Sequence, residues 1–375
     1  MPLRYAVIGT GMMGQEHIRN IALLDDAEIV AIADTDPSMR AKGLATAVEH
    51  GSAAAAAYAS HDDLIAQCDV DAYVVVTPND THAGIMDALL GTNKPILLEK
   101  PAATTPRDAW AMAQAARTRP APVWVGMEYR FMPAVSRLIE ELEAGTAGRP
   151  HMVSIMEHRF PFLDKVEFWN RSFARTGGTM VEKCCHFFDL MRFLTRSEPL
   201  RVFASGGQDV NFLGDFDKPG HQPVIDNAYV IVEFENGMRA SLDLCMFAEG
   251  SWWQEQVSVV GDKAKLVASV PGPARFNPDA GARLSRFGVF PRGDALRHEE
   301  DIDIDRALLD AGDHAGSTYF QHRAFADMVQ AQSAPQVTLD DGAMAVEMGA
   351  AAETAIKEKR AIDIEARPAL LKGAA

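Results

Sequence analysis

The short stretch Gly9-Thr10-Gly11-Met12-Met13-Gly14 constrains the fold of this chain more than any other part of its sequence. It follows the apolar run 4–8 and precedes residues with helical spacing, an order that indicates strand, glycine turn and helix. With the spacing G-x-G-x-x-G, the glycines permit a tight turn, the approach of a pyrophosphate and close helix–strand packing. The free N–H groups of the helix N-terminus favour phosphate. We therefore expect a dinucleotide to bind at Gly9, Gly11, Met12, Met13 and Gly14.

An acidic residue at the end of the next apolar run supports this prediction. Asp34 follows the run 28–33 and lies 20 residues beyond Gly14. A carboxylate there can accept hydrogen bonds from both ribose hydroxyls of adenosine, and it repels the additional phosphate of NADP. No Arg or Lys occurs between Asp34 and Arg40. The pattern predicts NAD as the cofactor; the alternative is that Asp34 only caps a turn.

Length and composition limit what else the chain can be. Its 375 residues exceed one ordinary core, so we expect a dinucleotide-binding domain over 1–125 and a substrate-binding and oligomerisation domain over 126–375. The formal net charge of -16 disfavours nucleic acid and anionic membranes as partners. No apolar run approaches the ~20 residues of a membrane span, and no signal peptide is visible. Four cysteines without C-x-x-C spacing fit a reducing compartment, so we expect a cytoplasmic protein.

The first half of the chain alternates strand-length apolar runs with helical segments. The strand-like runs cover 5–8, 29–33, 72–76, 96–98 and 123–125. Ser60, Thr81 and Thr105, the last followed by Pro106, are typical helix N-caps. This alternation predicts an α/β Rossmann domain with a doubly wound parallel sheet. In such sheets the ligand crevice lies outside the carboxyl ends of the strands.

From about Met127 the pattern changes to paired strands. Asn236-Gly237 separates two strand-like runs, and 261–263 separates two more, as in hairpins. We expect an α+β domain with a mainly antiparallel open sheet flanked by helices. The run 229–232 is apolar on both faces, so both faces of this sheet need a cover. Helices can cover one face, and we expect a second copy of the chain to cover the other. A final helix over 341–359 is expected near the domain junction.

Polar residues follow two of the predicted parallel strands. The first cluster runs from Thr77 to His82, and the second is Glu99-Lys100-Pro101. Pro101 biases Lys100 towards an extended conformation and stiffens the turn. A lysine held there could contact a substrate hydroxyl, or it could be an ordinary solvated lysine. We expect six residues of these clusters to line the cofactor crevice: Thr77, Pro78, Asn79, His82, Glu99 and Lys100.

Together these motifs resemble the glucose–fructose oxidoreductase/inositol dehydrogenase/MocA (Gfo/Idh/MocA) family. The second half agrees, since Gly177-Gly178 precedes Glu182, His186 and Asp189 at the family's spacing. The resemblance implies that Lys100 contacts the reacting hydroxyl and that His186 transfers its proton. Glu182 stands where the family more often has Asp, and Lys183-Cys184-Cys185 replaces a more usual apolar and glycine run.

The spacing of Glu182, His186 and Asp189 places them on one face of a single helix beginning after Gly178. A histidine flanked by carboxylates there can be held in one tautomer, as catalysis needs, or it can simply be satisfied in the core. A metal site is disfavoured, because Cys184 and Cys185 would point about 100° apart on a helix. We therefore expect no metal, and Lys100, His186 and Glu182 as the catalytic residues.

The second domain should supply the wall of the substrate site. Aromatic rings beside Arg, Asn and His suit a polyhydroxylated ring, which has apolar C–H faces and many hydroxyls. Ordinary packing and surface charge are the alternative for each residue. The candidate substrate contacts are Lys100, Arg130, Arg159, Trp169, Glu182, Lys183, His186, His314 and Tyr319.

These observations predict an NAD-dependent dehydrogenase that oxidises a secondary hydroxyl of a sugar, a sugar derivative or a cyclitol. His186 would accept the hydroxyl proton and Lys100 would stabilise the developing alkoxide, although their roles could be exchanged. One alternative is an NAD-dependent glycosidase that works by transient oxidation, elimination and re-reduction without net redox change. A sugar-binding protein without activity is a further alternative, which the presence of both Lys100 and His186 disfavours. We expect a homodimer or homotetramer assembled through the second sheet.

Overall fold

A computed structural model of the chain describes residues 2–214, 224–276, 278, 283–293 and 295–365. Its first sheet has six parallel strands in the order β3-β2-β1-β4-β5-β6. In chain order, the elements of this half are β1 (Leu3–Ile8), α1 (Met12–Ile21), β2 (Ala27–Ala33), α2 (Pro37–Glu49), β3 (Ala56–Tyr58), α3 (His61–Gln67), β4 (Ala72–Val75), α4 (His82–Leu90), β5 (Ile96–Leu98), α5 (Pro106–Ala116) and β6 (Val123–Val125).

Strand order places the crevice of this sheet between β1 and β4. β1 pairs in parallel with β2 on one side and with β4 on the other. The chain therefore leaves β1 towards one edge of the sheet and returns through β4 towards the other edge. Such a reversal opens a crevice at the carboxyl ends of the two central strands. The Gly9 turn and the Thr77 loop leave the sheet at this point, as the sequence predicts.

The second sheet has nine strands in the order β14-β13-β12-β11-β7-β10-β9-β8-β15. Its pairs are antiparallel within the described residues except β7 with β10, which run in parallel. The strands are β7 (Pro150–His158), β8 (Pro199–Gly207), β9 (Asn227–Phe234), β10 (Arg239–Cys245), β11 (Glu255–Gly261), β12 (Ala264–Val270), β13 (Ser285–Pro291), β14 (His298–Ile302) and β15 (Ile362–Asp363). Both predicted hairpins, β9–β10 and β11–β12, are confirmed.

Helices pack on one face of this second sheet. The helices of this half are α6 (Pro133–Glu143), α7 (Phe173–Thr176), α8 (Thr179–Glu182), α9 (Cys185–Thr195), α10 (Arg306–Ala311), α11 (Ser317–Ala331) and α12 (Leu339–Glu358), and three of them make the contacts with the sheet. α6 contacts β12 and β13, α9 contacts β7, and α12 contacts β8. The opposite face bears exposed apolar side chains, among them Tyr229 and Ile231 of β9, which are 70% and 48% exposed. β9 is thus apolar on both faces, as its sequence predicts.

Two C-terminal helices contact the first half of the molecule. α11 packs against α1, and α12 packs against α5 and β6. The division into domains at residue 125 stays a prediction, and the last ten residues of the predicted second domain, 366–375, lie outside the described residues. In the part of the chain that is described, no helix has the length and apolar character that a membrane crossing requires.

Candidate active site

The glycine turn after β1 has the shape that a pyrophosphate needs. Gly9 has φ +95°, and a Cβ there would lie 2.5 Å from the carbonyl oxygen of Val76. A Cβ on Gly14 would lie 2.1 Å from the carbonyl oxygen of Gly9. A Cβ on Gly11 would meet no atom within 4 Å, so space is open above that backbone. This space and the uncapped N-terminus of α1 fit a bound dinucleotide.

Asp34 lies directly after β2 and faces the same turn. Its carboxylate accepts hydrogen bonds from the Thr10 N–H at 2.7 Å, from the Thr10 hydroxyl at 3.1 Å and from the Asp36 N–H at 2.9 Å. The carboxylate is thereby fixed beside the glycine turn. Met12 and Met13 begin α1, where Met12 is exposed and Met13 is half-buried. These positions fit the adenosine end of NAD.

The loop after β4 contains a buried amide donor without a partner among the described residues and a hydrogen bond between two of its own side chains. The Nδ2 atom of Asn79 is buried and has no hydrogen-bond partner among the described residues. The Thr81 hydroxyl donates a hydrogen bond to the Thr77 hydroxyl at 2.7 Å. The Thr81 side chain makes no capping hydrogen bond to α4, so the predicted N-cap is wrong. Pro78 is the residue before the single 3-10 turn that leads into α4. Asn79 is the member of this loop whose geometry best fits a cofactor contact.

His82 makes contacts within the protein, and its predicted contact with the cofactor stays a prediction. Its ring is fully buried, and its nitrogens lie 2.8 Å from the Pro101 carbonyl oxygen and 3.0 Å from that of Thr77. Burial lowers the pKa of His82, so the ring is neutral. No side-chain atom of His82 is open to a ligand. His82 instead braces the two loops that form the edge of the crevice.

Glu99 is a second internal brace. Its carboxylate lies 3.1 Å from the Nε2 atom of His17 and accepts a hydrogen bond from the Lys100 N–H at 3.1 Å. Burial alone would raise the pKa of Glu99, but the hydrogen bond and the charge of His17 lower it. Glu99 therefore fixes the backbone from which the Lys100 side chain extends.

Lys100 and Glu182 bring the two halves of the molecule together. The Lys100 ammonium donates a hydrogen bond to the Glu182 carbonyl oxygen at 3.1 Å and lies 4.0 Å from the Glu182 carboxylate. Burial opposes the charge of Lys100, but Glu182 offsets this and the pKa of Lys100 rises to about 12. Burial would likewise raise the pKa of Glu182, but Lys100 and Lys165 lower it. Both groups are therefore ionised at neutral pH.

His186 lies beside this pair in a neutral form. Its ring stacks on Tyr129 with centroids 4.1 Å apart and an interplanar angle of 7°. Its Nδ1 atom is buried without a hydrogen-bond partner among the described residues. Burial, and then the charges of Lys100 and Lys183, hold the pKa of His186 well below its usual value. An uncharged imidazole is the form that can accept a proton.

The single helix expected for Glu182, His186 and Asp189 is wrong. α8 ends at Glu182 and α9 begins at Cys185. At this break the Glu182 carbonyl oxygen accepts hydrogen bonds from the Lys100 ammonium at 3.1 Å and from the Cys185 thiol at 3.6 Å. Asp189 lies on α9 but is turned to a different partner.

That partner is Arg130, whose predicted substrate contact stays a prediction. The Arg130 guanidinium is buried and forms a bidentate ion pair with Asp189, with N–O distances of 2.6 and 2.5 Å. Its remaining terminal nitrogen donates a hydrogen bond to the Gln336 carbonyl oxygen at 2.9 Å. These bonds engage all three nitrogens of the guanidinium, so Arg130 holds the 3-10 turn after β6 against α9.

The sequence analysis named only Lys183 of a buried polar group that also contains Tyr129, Glu157 and Glu255, and the substrate contact of Lys183 stays a prediction. The Lys183 ammonium lies 2.8 Å from the Glu157 carboxylate and donates a hydrogen bond to the Tyr129 hydroxyl at 2.5 Å. Burial, and then the charge of Glu157, raises the pKa of Glu255 to about 7. One signal was available, since Glu157 occupies a position of β7 in phase with the inward-facing Val153 and Ile155. A charged residue at such a position indicates a polar site.

Four substrate candidates remain to be placed: His314, Tyr319, Trp169 and Arg159. The His314 ring is 2.8 Å from the Glu16 carboxylate and 3.6 Å from that of Glu128, and these groups raise its pKa, which burial alone would lower, to about 9. The ligand atoms of Glu16, Glu128 and His314 lie within 4.8 Å of one another, a spacing that would suit a metal ion. Hydrogen bonds within the protein already occupy these three groups. Tyr319 is half-buried against Phe320. The substrate contacts expected of His314 and Tyr319 stay predictions.

Trp169 and Arg159 belong to the loop that follows β7, together with Lys165, which was also missed. The Lys165 ammonium lies 3.8 Å from the Glu182 carboxylate and 4.5 Å from the centre of the Trp169 ring. The Arg159 guanidinium lies 3.7 Å from the Glu157 carboxylate. The loop thus carries two cations to the site formed by Lys100 and Glu182.

Comparisons with known proteins agree with this architecture. Residues 3–127 match the Gfo/Idh/MocA oxidoreductase family, NAD-binding Rossmann fold, and residues 139–364 match its C-terminal alpha/beta domain. The chain is 26% identical to the myo-inositol 2-dehydrogenase of Thermotoga maritima over 97% of this chain and 99% of that enzyme. It is 30% identical to inositol 2-dehydrogenase 3 of Saccharopolyspora erythraea over 75% and 77% of the two chains.

Among solved structures, levoglucosan dehydrogenase in complex with NADH has the same fold, with a TM-score of 0.78 at 20% identity. The alignment covers 97% of this chain and 100% of that one. The glycine turn and Asp34 provide the geometry that the Rossmann domain of the family uses for NAD. The chain therefore belongs to the Gfo/Idh/MocA family of NAD-dependent oxidoreductases, as its sequence motifs predict.

Proposed function

We propose that this protein is a dehydrogenase that oxidises a secondary hydroxyl of a cyclitol or a sugar. The observation that carries the proposal is the convergence of Lys100, at the carboxyl end of β5, with Glu182 and His186 from the other half of the molecule. Relatives named as inositol 2-dehydrogenases support a cyclitol or a similar polyhydroxylated ring. Charged and hydrogen-bonding side chains around Lys100 suit such a ring.

The residues of the first domain would hold the cofactor at the crevice. The turn from Gly9 to Gly14 would receive the pyrophosphate, Asp34 the adenosine ribose, and Asn79 a polar group further along. When bound, NAD supplies the acceptor for the hydride that leaves the carbinol carbon. Everything else that the reaction needs falls to protein side chains.

The protonation states separate the roles of Lys100 and His186. With a pKa of about 12, Lys100 is an ammonium group at neutral pH and donates a hydrogen bond to the substrate oxygen. His186 is neutral, because its pKa is lowered well below the usual value, and can take the hydroxyl proton. Glu182 keeps Lys100 charged and fixes the direction of its ammonium group. We therefore assign proton transfer to His186 and electrostatic stabilisation to Lys100.

The test is a panel of cyclitols, aldoses and glycosides incubated with NAD and the enzyme. Steady growth of NADH absorbance with one member, and a ketone as product, is the expected result. Release of a sugar from a glycoside without accumulation of NADH would instead identify the redox-neutral glycosidase reaction. The same panel with NADP tests Asp34, whose carboxylate should make NADP the poorer cofactor.

A further inference from the structure

The loop between β7 and α7 places two cations that the proposed reaction does not use. The Lys165 ammonium lies 3.8 Å from the Glu182 carboxylate, beyond hydrogen-bond distance, and this ammonium donates no hydrogen bond within the described part of the chain. The Arg159 guanidinium donates from Nε to the Phe160 carbonyl oxygen at 3.1 Å and lies 3.7 Å from Glu157. Both side chains are largely but not fully buried, at 23% and 13% exposed. Each therefore keeps N–H donors for another partner.

The cations around Glu182 differ in how closely carboxylates approach them. Lys100, Lys165, Lys183 and Arg159 all lower the pKa of Glu182. Glu157 lies 2.8 Å from Lys183, which accounts for one of these cations. Glu182 itself is shared between Lys100 at 4.0 Å and Lys165 at 3.8 Å. Glu255 adds less than a full charge at neutral pH, because its pKa is about 7. Glu99 also acts on Lys165, but neither Lys165 nor Arg159 has a carboxylate within hydrogen-bond distance among the described residues.

A half-buried ammonium without a hydrogen bond is costly, and an anionic oxygen would relieve that cost. Burial lowers the pKa of Lys165, which shows that the protein compensates its charge only in part. Hydrogen bonds from lysine or arginine to carboxylate or phosphate oxygens are about twice as strong as those between neutral groups. Trp169, whose ring lies 4.5 Å from the Lys165 ammonium, gives this donor a fixed apolar side.

We propose that the substrate carries an anionic group, a carboxylate or a phosphate, which binds Lys165 and Arg159 while the reacting carbinol lies at Lys100 and His186. The inference rests on the proposed function, because it assigns a substrate class to the same site. The anionic group takes no part in the redox step. It fixes which hydroxyl of the ring lies beside His186, and thereby determines both affinity and the position of oxidation.

Binding to the complex of enzyme and NADH tests this proposal without relying on turnover. Matched sets of a hexose, its hexuronate and its 6-phosphate, in the gluco, galacto and manno series, are titrated by calorimetry. We expect at least one anionic member to bind about tenfold or more tightly than its neutral parent. A uronate or a phosphate preference identifies the anionic group. Equal or tighter binding of every neutral parent, or no binding at all, would overturn the proposal.

Variants of Lys165 separate a ligand contact from a structural role. In Lys165→Met, the ratio of anionic to neutral affinity should fall about tenfold, and Lys165→Arg should restore most of it. The matched control Lys42→Met removes an exposed lysine of α2 and should leave the ratio unchanged. An unchanged ratio in Lys165→Met would contradict the proposal. Preferential binding of an anionic sugar that no NAD assay oxidises would uphold this inference and refute the proposed dehydrogenase function.

Discussion

Lys100 shows how one side chain can be buried and still remain charged. Its ammonium has lost most of its water, yet carboxylates on both sides of the crevice, Glu182 and Glu99 among them, keep its pKa above the usual value. The carbonyl oxygen of Glu182 then fixes its direction at 3.1 Å. A preorganised cation of this kind stabilises developing negative charge without reorganisation during the reaction.

Replacing this cation should cost activity and spare cofactor binding. Lys100→Met keeps the length of the side chain but removes the hydrogen-bond donor, so we expect kcat to fall by about 10²-fold or more. The NAD dissociation constant should change little, because the glycine turn and Asp34 are untouched. Steady-state kinetics and NADH titration measure the two effects. Lys94→Met, which changes a partly exposed lysine at the other end of β5, is the control. Near-normal turnover in Lys100→Met would refute the role of Lys100.

The acid limb of the pH profile should report on His186. A base is active when it is unprotonated, and the pKa of His186 is held well below its usual value. As pH falls through the ordinary histidine range, His186 therefore stays neutral and kcat/KM should stay level. Activity should decline only at more acidic pH, and Lys183→Met should move that decline to higher pH because it removes a nearby positive charge. If kcat/KM of the native enzyme instead declined at the ordinary pKa of histidine, the assignment of His186 as the proton acceptor would be contradicted.

Among the elements, the glycine turn after β1 could be predicted from the sequence, whereas the break between α8 and α9 could not. Strands and helix starts follow from local patterns; Ser60 and Thr105, for example, accept the N-cap hydrogen bonds expected of them. The hydrogen bond from Lys100 at this break has no local signal, because Lys100 is 82 residues away in the chain. The ion pair of Lys183 with Glu157 likewise needs two segments that only the fold brings together. Sequence motifs therefore predicted a crevice and candidate side chains for it, while the contacts that orient these side chains required the structure.

The glycines of the turn should separate folding from cofactor binding. Gly11→Ala adds a methyl group to open space, so the fold should persist while NAD affinity falls at least about tenfold through loss of phosphate approach. Gly14→Ala places its Cβ against the Gly9 carbonyl and should lower the free energy of unfolding by about 1–3 kcal/mol. Gly84→Ala, exposed in α4 with no atom nearby, should be neutral or stabilising. Chemical denaturation measures the free energy of unfolding, and NADH titration measures cofactor affinity. Unchanged NAD affinity in Gly11→Ala would show that the pyrophosphate does not bind at this turn.

At the scale of the molecule, the second sheet is covered on one face alone within the described residues. α6, α9 and α12 pack on that face. The other face exposes Tyr229 and Ile231 of β9, Phe203 of the neighbouring β8, and Met152 of β7, which is separated from β9 by β10. Apolar side chains grouped in this way on a sheet mark an interaction surface. A second copy of the chain, placed face to face, could bury such a surface in a closed, symmetric dimer, and a second contact of this kind would give a tetramer.

Charge placed on this face should therefore prevent assembly. The double variant Tyr229→Glu/Ile231→Glu puts two carboxylates on β9 where the proposed dimer excludes water, and the native chain should sediment as a dimer or tetramer while the variant sediments as a monomer. Val48→Glu, which charges an exposed apolar residue of α2, should leave the oligomer intact. Since Lys100, Glu182 and His186 all belong to one chain, the monomeric variant should still bind NADH. A native chain that sediments as a monomer at micromolar concentration would show that this face remains in water.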